Sequence, residues 1–121
     1  MYTMIIYIIY SMSRDIKLKK PLVFEWDKGN KEKNVNKHKV QNSESEEVFF
    51  NNPILLEDIF HSQIENRYIA YGVTDKKRQL VITFTLRGNN FEKIRIISAR
   101  YQDKKEREFY QKLKEGVKKK K

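Results

Sequence analysis

Three runs of strand length, rich in apolar residues and joined by short polar connections, restrict the fold of this chain more than any other feature. The runs cover residues 67–74, 79–87 and 93–100, and the connections between them are rich in Asp, Lys, Gly and Asn. Connections this short join neighbouring strands in antiparallel order, whereas parallel strands need a long crossover. The sequence therefore predicts an antiparallel β-meander as the scaffold.

The middle run has two faces of different character, because successive side chains of a strand point to opposite sides of the sheet. One face is apolar throughout and consists of Leu80, Ile82, Phe84 and Leu86, whereas the other mixes threonine and arginine and consists of Val81, Thr83, Thr85 and Arg87. We expect helices from both ends of the chain to pack on the apolar face. We expect the second face to be open or to face a ligand.

Two arginines on the last run are unusual, because a charge on a buried strand is costly unless it has a partner or a function. Strict alternation places Ile94, Ile96, Ser98 and Arg100 on one face and Lys93, Arg95, Ile97 and Ala99 on the other. We therefore expect Arg95 and Arg100 to leave the strand on opposite sides of the sheet.

The segment before the meander is predicted to hold two helices and two short strands. In chain order these are a strand at 22–26, a helix at 28–38 capped by Asp27, a second helix from a capping box at 43–46 to a break at 51–53, an edge strand at 54–56 and a loop at 57–66. Val48 and Phe49 are expected to face inward from the second helix.

A final helix is predicted to begin at Asp103, with Glu106 completing a capping box and with Phe109, Leu113 and Val117 as its buried stripe. The whole pattern predicts an α+β protein with one domain over residues 22–117. Residues 1–21 would be an N-terminal extension, either non-native or disordered, and residues 118–121 a basic tail.

Composition limits the classes of function. A net charge of +10 and a pI near 9.7 are typical of a protein that binds a polyanion, although a solvated basic surface remains the alternative. The lack of cysteine excludes disulfides and thiolate zinc sites and fits a reducing cytoplasm. Only His38 and His61 remain as soft ligands, so we expect no metal and no cofactor.

Residues 1–12 are apolar and rich in tyrosine. A membrane span needs about 20 apolar residues, and this segment also lacks the cationic start and the cleavage site of a secretory signal. We expect a true start at Met12 or an extra strand, and no membrane association.

Four segments, taken in order, carry a resemblance to a known family. They are Phe24-Glu25-Trp26-Asp27, Lys37-His38, the stretch from His61 to Tyr68, and the arginine-bearing run from Ile94 that is followed by Glu106-Arg107. Their order and spacing resemble the BrnT family of type II toxins over residues 24–110.

The resemblance implies a RelE-like fold and a metal-independent endoribonuclease that cleaves RNA by 2′-hydroxyl attack and inhibits translation. It also implies a ribbon-helix-helix antitoxin of the BrnA type as partner, with DNA contacted only through that antitoxin. RNA, for example mRNA, would be the substrate.

Such cleavage needs a base for the 2′-hydroxyl proton, an acid for the leaving 5′-oxygen and cations for the charged phosphorane. Our catalytic candidates are His61, Glu65, Arg67, Arg87 and Arg100. His61 and Glu65 would share a face and tune each other's pKa if their loop makes a helical turn. Our candidates for RNA binding are Lys31, Lys37, His38, Arg95 and Tyr110.

Each candidate also has a structural interpretation. His61 could bond loop backbone, Glu65 could pair with an arginine, and the arginines could pair with Glu65, Glu92 or Glu106. His38 could lie at a helix C-terminus that favours positive charge. Tyr110 could lie at the edge of the core, and Trp26, a candidate platform on which a base could stack, is more simply a core residue. Arg87 has the strongest functional interpretation, because it shares a threonine-lined face.

The chain departs from the family pattern where glycine usually follows Lys-His. Lys39 stands there, and a lysine at a left-handed helix end costs on the order of 1 kcal/mol. The first helical region has also lost apolar contacts, as in a drifted or weakened toxin or in one whose helix its antitoxin remodels. A second function stays open, because it would share the charge and the fold: a non-catalytic basic module that binds RNA or the ribosome, or that docks an antitoxin.

Overall fold

The computed structural model describes residues 16–61 and 64–119 of the chain. Its elements are β1 (Val23–Phe24), α1 (Lys33–His38), α2 (Asn42–Phe50), β2 (Ile54–Glu57), β3 (Arg67–Val73), β4 (Gln79–Arg87), β5 (Lys93–Tyr101) and α3 (Lys104–Lys119). The strands form a five-stranded sheet in the order β1-β5-β4-β3-β2. The predicted α+β class and the antiparallel meander of β3, β4 and β5 are confirmed.

The two outer strands complete the sheet in different ways. Strand β2 pairs antiparallel with β3, as the predicted edge strand would. Strand β1 is shorter than predicted and pairs parallel with the start of β5. The predicted start at Met12 and most of the predicted extension lie outside the described residues.

The apolar face of β4 forms the main core. Leu80, Ile82 and Phe84 are completely buried, and α2 covers them with Val48 and Phe49. The ring of Phe49 meets the ring of Phe84 edge-on, with 5.0 Å between centroids, a favourable geometry for aromatic pairs. The predicted inward direction of Val48 and Phe49 is confirmed.

Helix α3 packs on the opposite face of the sheet, so the prediction that both ends of the chain cover the same face is wrong. Tyr110 and Leu113 of α3 are buried with Leu56, Tyr71 and Val81. The residues of β2 and β3 make this face apolar at one end, a property that the middle strand alone does not reveal. The second face is therefore half core and half open.

The start of α3 agrees with its predicted capping box. The Asp103 N–H donates to Glu106 Oε1 at 2.9 Å, and the Glu106 N–H donates to Asp103 Oδ1 at 2.8 Å. Phe109 is partly buried on the predicted stripe, whereas the side chain of Val117 lies outside the description.

A β-bulge in β5 places both of its arginines on one face, which corrects the prediction of opposite sides. In the ladder between β4 and β5, Ile97 is an extra residue with no direct partner. One inserted residue resets the alternation of side chains. Arg95 and Arg100 consequently lie opposite Thr85 and Val81, which share a face of β4.

Helix α1 begins at Lys33 and not at residue 28, which corrects the predicted length. Asp27 instead closes a turn, because its Oδ1 accepts the Gly29 N–H at 2.8 Å and its carbonyl accepts the Lys31 N–H at 2.8 Å. Asparagine and aspartate commonly bond the backbone two residues on in this way. The predicted capping residue is therefore correct for a turn but not for a helix.

Two buried asparagines join this region to the edge of β5. Asn30 Nδ2 donates to the Ile96 carbonyl at 3.1 Å, and Asn34 Oδ1 accepts the Ala99 N–H at 3.0 Å. Strand β1 pairs only with the start of β5, so these side chains satisfy backbone groups at an edge that would otherwise attract another strand.

The helix ends between α1 and α2 are defined by local geometry. Lys39 has φ 59° and ψ 32°, which is the left-handed helix end expected from the family pattern. Helix α2 starts at Asn42, slightly earlier than predicted, because the Gln41 N–H donates to Glu44 Oε1 at 3.0 Å in place of a serine-based cap.

Candidate active site

Several arginines converge on the open half of the sheet face opposite the main core. Cross-strand pairing puts Arg67, Thr85 and Arg95 in one row over β3, β4 and β5, and Arg87 follows two residues later on β4. Paired residues of neighbouring strands lie about 5 Å apart. We call the surface formed by Arg67, Arg87, Arg95 and Arg100 over the buried Thr85 the arginine face.

Glu65 reaches this surface from the loop before β3. Arg87 Nη2 donates to Glu65 Oε1 at 3.0 Å. This contact lowers the pKa of Glu65 below its ordinary value, and the charge of Arg67 acts in the same direction. Glu65 is thus held by Arg87, as its structural interpretation predicted, and the positive charges of Arg87 and Arg67 both favour its ionised form.

A continuous series of ion pairs extends from Arg87 towards β1. Arg87 Nη1 lies 3.8 Å from Glu25 Oε1, and Arg95 Nη1 lies 3.0 Å from the same oxygen and 2.8 Å from Asp27 Oδ2. Hydrogen bonding from Arg95 lowers the pKa of Asp27. Arg95 therefore belongs to an ion-pair network, as its structural interpretation predicted, but its partners are Glu25 and Asp27 instead of Glu65, Glu92 or Glu106.

Arg100 is joined to α3 by a two-pronged contact. Its Nη1 and Nη2 donate to the two carboxylate oxygens of Glu106 at 2.7 and 2.9 Å. The partner is one of those predicted, and the contact raises the pKa of Arg100. Bidentate pairs of this kind fix orientation as well as charge, so Arg100 positions the start of α3 beside the arginine face.

His61 has a different partner from the one predicted. Its Nδ1 lies 2.9 Å from Asp58 Oδ2, and its side chain is 70% exposed. Glu65 bonds Arg87 instead, and residues 62 and 63, which would complete the predicted helical turn between them, lie outside the described residues. The structure brings Glu65 together with the arginines and leaves His61 at the entrance of the same loop.

A second cationic group lies at the end of α1. His38 is half-buried, and its pKa is lowered first by burial and then by the charges of Lys37, Arg100 and Lys33. Lys33 Nζ also donates to the Ile97 carbonyl at 3.2 Å, at the bulge of β5. Lys37 and Lys31 are exposed. The end of α1 therefore lies close to Arg100, next to the bulge of β5.

Two aromatic candidates differ in exposure. Tyr110 is only 4% exposed and stacks on Tyr71 with 6.4 Å between ring centroids, so it belongs to the core and not to an RNA-binding surface. Burial raises its pKa. Trp26 packs partly against the core, and its Nε1 donates to Glu46 Oε2 at 2.8 Å.

Glu25 and Asp27 are members of the site that no pattern in the sequence indicates. They belong to the Phe-Glu-Trp-Asp segment, but they bond Arg95 across 70 and 68 residues of chain. The parallel pairing of β1 with β5 is what places them there, and no local pattern reveals that pairing.

Residues 16–61 and 64–119 contain neither a helix that could cross a membrane nor a cluster of metal-ligating side chains. The longest helix, α3, and the two shorter ones all lack an apolar stretch of the length that a bilayer requires. Nowhere in those ranges do three His, Cys, Asp or Glu side chains gather as metal ligands would.

Comparison with known proteins identifies the family. A sequence profile described as "Ribonuclease toxin, BrnT, of type II toxin-antitoxin system" matches residues 26–106, about two-thirds of the chain. The chain belongs to the BrnT family. No curated protein gives a significant match. Membership in a family of type II ribonuclease toxins implies an RNA substrate and an antitoxin partner, and the BrnT match covers α1, α2, the whole sheet after Trp26, and the start of α3.

Proposed function

We propose that this BrnT protein is an endoribonuclease that cleaves RNA on the arginine face and so inhibits translation. One observation carries the proposal: Glu65 and Arg87 are in contact at 3.0 Å on an open surface to which Arg67 and Arg95 also belong. A carboxylate and several guanidinium groups are the components that 2′-hydroxyl attack on a phosphate requires.

In the proposed reaction, Glu65 accepts the proton of the 2′-hydroxyl while the 2′-oxygen forms a bond to the adjacent phosphorus. Arg87 and Arg67 stabilise the negative charge of the phosphorane, and the bond to the 5′-oxygen breaks. His61, oriented by Asp58, supplies the proton that this leaving oxygen takes up. No metal ion takes part, and the products are a 2′,3′-cyclic phosphate and a 5′-hydroxyl.

Phosphate must compete with carboxylates for the arginines. Arg87 and Arg100 are each 43% exposed although both are paired, and an exposed ion pair contributes only about 0–1 kcal/mol. An incoming phosphate can therefore replace Glu65 at Arg87 at low cost. The displaced carboxylate is then beside the substrate and able to accept a proton.

The same pairing favours a second candidate, a basic module that binds RNA or the ribosome without cleaving it. In this alternative the carboxylates only orient the arginines, and the contact of His61 with Asp58 only holds the loop in place. The two candidates share charge and fold, and they differ in whether bound RNA is cut.

We propose further that the fold is RelE-like, that the protein acts in the cytoplasm, and that its antitoxin is a BrnA-like ribbon-helix-helix protein that covers the arginine face. Covering this face would block RNA and neutralise exposed positive charge. Co-expression with the product of the neighbouring gene should then relieve growth inhibition. Persistent inhibition, or none to relieve, would count against the toxin assignment.

The test of catalysis is RNA cleavage by purified protein in excess EDTA, with analysis of the end groups. We expect 2′,3′-cyclic phosphate and 5′-hydroxyl ends, and no cut at a position that carries a single 2′-deoxy substitution. RNA that is bound but remains intact would support the non-catalytic module.

A further inference from the structure

A cavity beside the arginine face has no part in the proposed reaction. It has a volume of about 510 Å³ and is lined by Trp26, Asp27, Lys28, Lys31 and Glu32. Asp27 connects the two places, because it lines the cavity and its Oδ2 lies 2.8 Å from Arg95 Nη1. A strand of RNA lying on the arginine face would therefore pass the mouth of this cavity.

We propose that the cavity binds one unpaired nucleobase of the RNA, stacked on the indole of Trp26. The proposal rests on the proposed function, since it concerns the same substrate beyond the cleaved phosphate. Sequence-specific recognition of RNA relies on unstacked bases that lie against aromatic side chains. The subsite would add affinity and hold the strand in register with Glu65 and Arg87.

The chemistry of the lining favours a base over a phosphate. Asp27 and Glu32 would repel a phosphate, whereas their carboxylate oxygens can accept hydrogen bonds from the amino groups of a base. Lys28 and Lys31 are exposed, so they can reach the phosphates on either side of the bound nucleotide. An aromatic ring, acceptors and flanking cations together are typical of a nucleotide site.

The indole is already held in place before RNA arrives. Its Nε1 donates to Glu46 Oε2 at 2.8 Å, and one part of the ring packs against the core. A fixed ring loses little conformational entropy when a base stacks on it. The hydrogen bond to α2 therefore makes Trp26 a rigid platform.

Trp26 is the only tryptophan of the chain, so its fluorescence reports on this cavity alone. The probe is fluorescein-labelled hexa-adenylate with 2′-O-methyl riboses, which cannot be cleaved by 2′-hydroxyl attack. Binding is measured by anisotropy, and Trp26 emission is measured with the unlabelled oligonucleotide. A matched oligonucleotide with abasic sites retains the phosphates and lacks the stacking groups.

We expect hexa-adenylate to quench Trp26, and the abasic oligonucleotide to bind about tenfold more weakly with little quenching. Trp26→Leu should lose about tenfold in affinity for hexa-adenylate and nothing for the abasic strand, while Trp26→Phe should keep most of the affinity. Lys31→Ala should weaken both strands alike, and Lys76→Ala, an exposed lysine of the β3–β4 turn, should change neither.

The outcomes separate this inference from the proposed function. The base subsite is refuted if hexa-adenylate binds without changing Trp26 emission, or if the two strands bind with equal affinity. Neither result contradicts RNA binding on the arginine face. No binding of either strand overturns both. If Trp26→Leu does not fold, the comparison of the two strands on the wild-type protein still decides the matter.

Discussion

Replacing Glu65 by glutamine should affect RNA binding and RNA cleavage in opposite directions. The carboxylate now occupies Arg87 at 3.0 Å, in the position where a phosphate would bind. Two unit charges about 5 Å apart in water interact by about 0.8 kcal/mol. Removing one negative charge beside the phosphate should therefore raise RNA affinity about fourfold at low salt.

The same change removes the proposed base. Loss of a general base should reduce the rate of cleavage by about a hundredfold. Folding should hardly change, because both partners are more than one-third exposed and exposed pairs contribute about 0–1 kcal/mol. A purely structural role for Glu65 would not combine tighter binding with slower cleavage.

The assay measures affinity by fluorescence anisotropy at several salt concentrations and cleavage under single-turnover conditions. Glu47→Gln is the matched control: its Oε1 accepts the Asp75 N–H at 2.9 Å, a role that a glutamine oxygen can also fill, and it removes the same charge elsewhere. If Glu65→Gln binds RNA no better than Glu47→Gln, Arg87 is not exchanged between Glu65 and phosphate, and our reasoning fails.

Three further predictions concern stability. Lys39→Gly should stabilise the protein by about 1 kcal/mol, because φ at this position is 59°, and thermal unfolding should show a rise of about 4 °C that Lys39→Ala does not give. Asn34→Ala should lose about 2 kcal/mol in urea unfolding, because it leaves the buried Ala99 N–H without its acceptor; a loss below that of a typical surface substitution would contradict this role. Arg87 lowers the pKa of Glu65 in the folded protein below the ordinary value of 4.5. The stability that this pair contributes is therefore present above the pKa of the unfolded state and is lost as the pH falls through the pKa of the folded state. Wild type should lose more stability on acidification than Glu65→Gln, and equal losses would contradict the assignment.

The meander could be predicted closely, because strand periodicity and turn residues are local properties. The predicted and observed bounds of β4 agree, and those of β3 and β5 differ by one residue at the C-terminal end. The bulge at Ile97 could not be predicted, since it exists only in the pairing of β5 with β4. That single residue decides on which face Arg100 lies.

The position of α3 could not be predicted from the middle strand alone. The middle strand suggested one apolar and one polar face, and only the pairing of Tyr71 with Val81 shows that the polar face is apolar at one end. Burial of Tyr110 there also removes it from the set of RNA-binding candidates. Short-range patterns describe a strand's faces but not what its neighbours add to them.

The site was predictable in its cations and not in its anions. Arginines on strands are conspicuous in a sequence because they are costly there without a partner, and Arg67, Arg87 and Arg95 do share one surface. Their partners Glu25 and Asp27 come from a distant segment through β1. Charged residues can be recognised in the sequence, but the pairing of the strands determines which of them come into contact.

The most direct test of the central claim compares cleavage and binding in Arg87→Ala, with Arg78→Ala as control. Arg78 precedes the other end of β4, away from the arginine face, and bonds Glu44 at 2.6 Å. Its side chain is 40% exposed, against 43% for Arg87. We predict that Arg87→Ala cleaves RNA at least about a hundredfold more slowly while its affinity falls only a few-fold, and that Arg78→Ala is close to wild type in both. Cleavage by Arg87→Ala at the wild-type rate, or equal losses in cleavage and binding, would contradict transition-state stabilisation by this arginine.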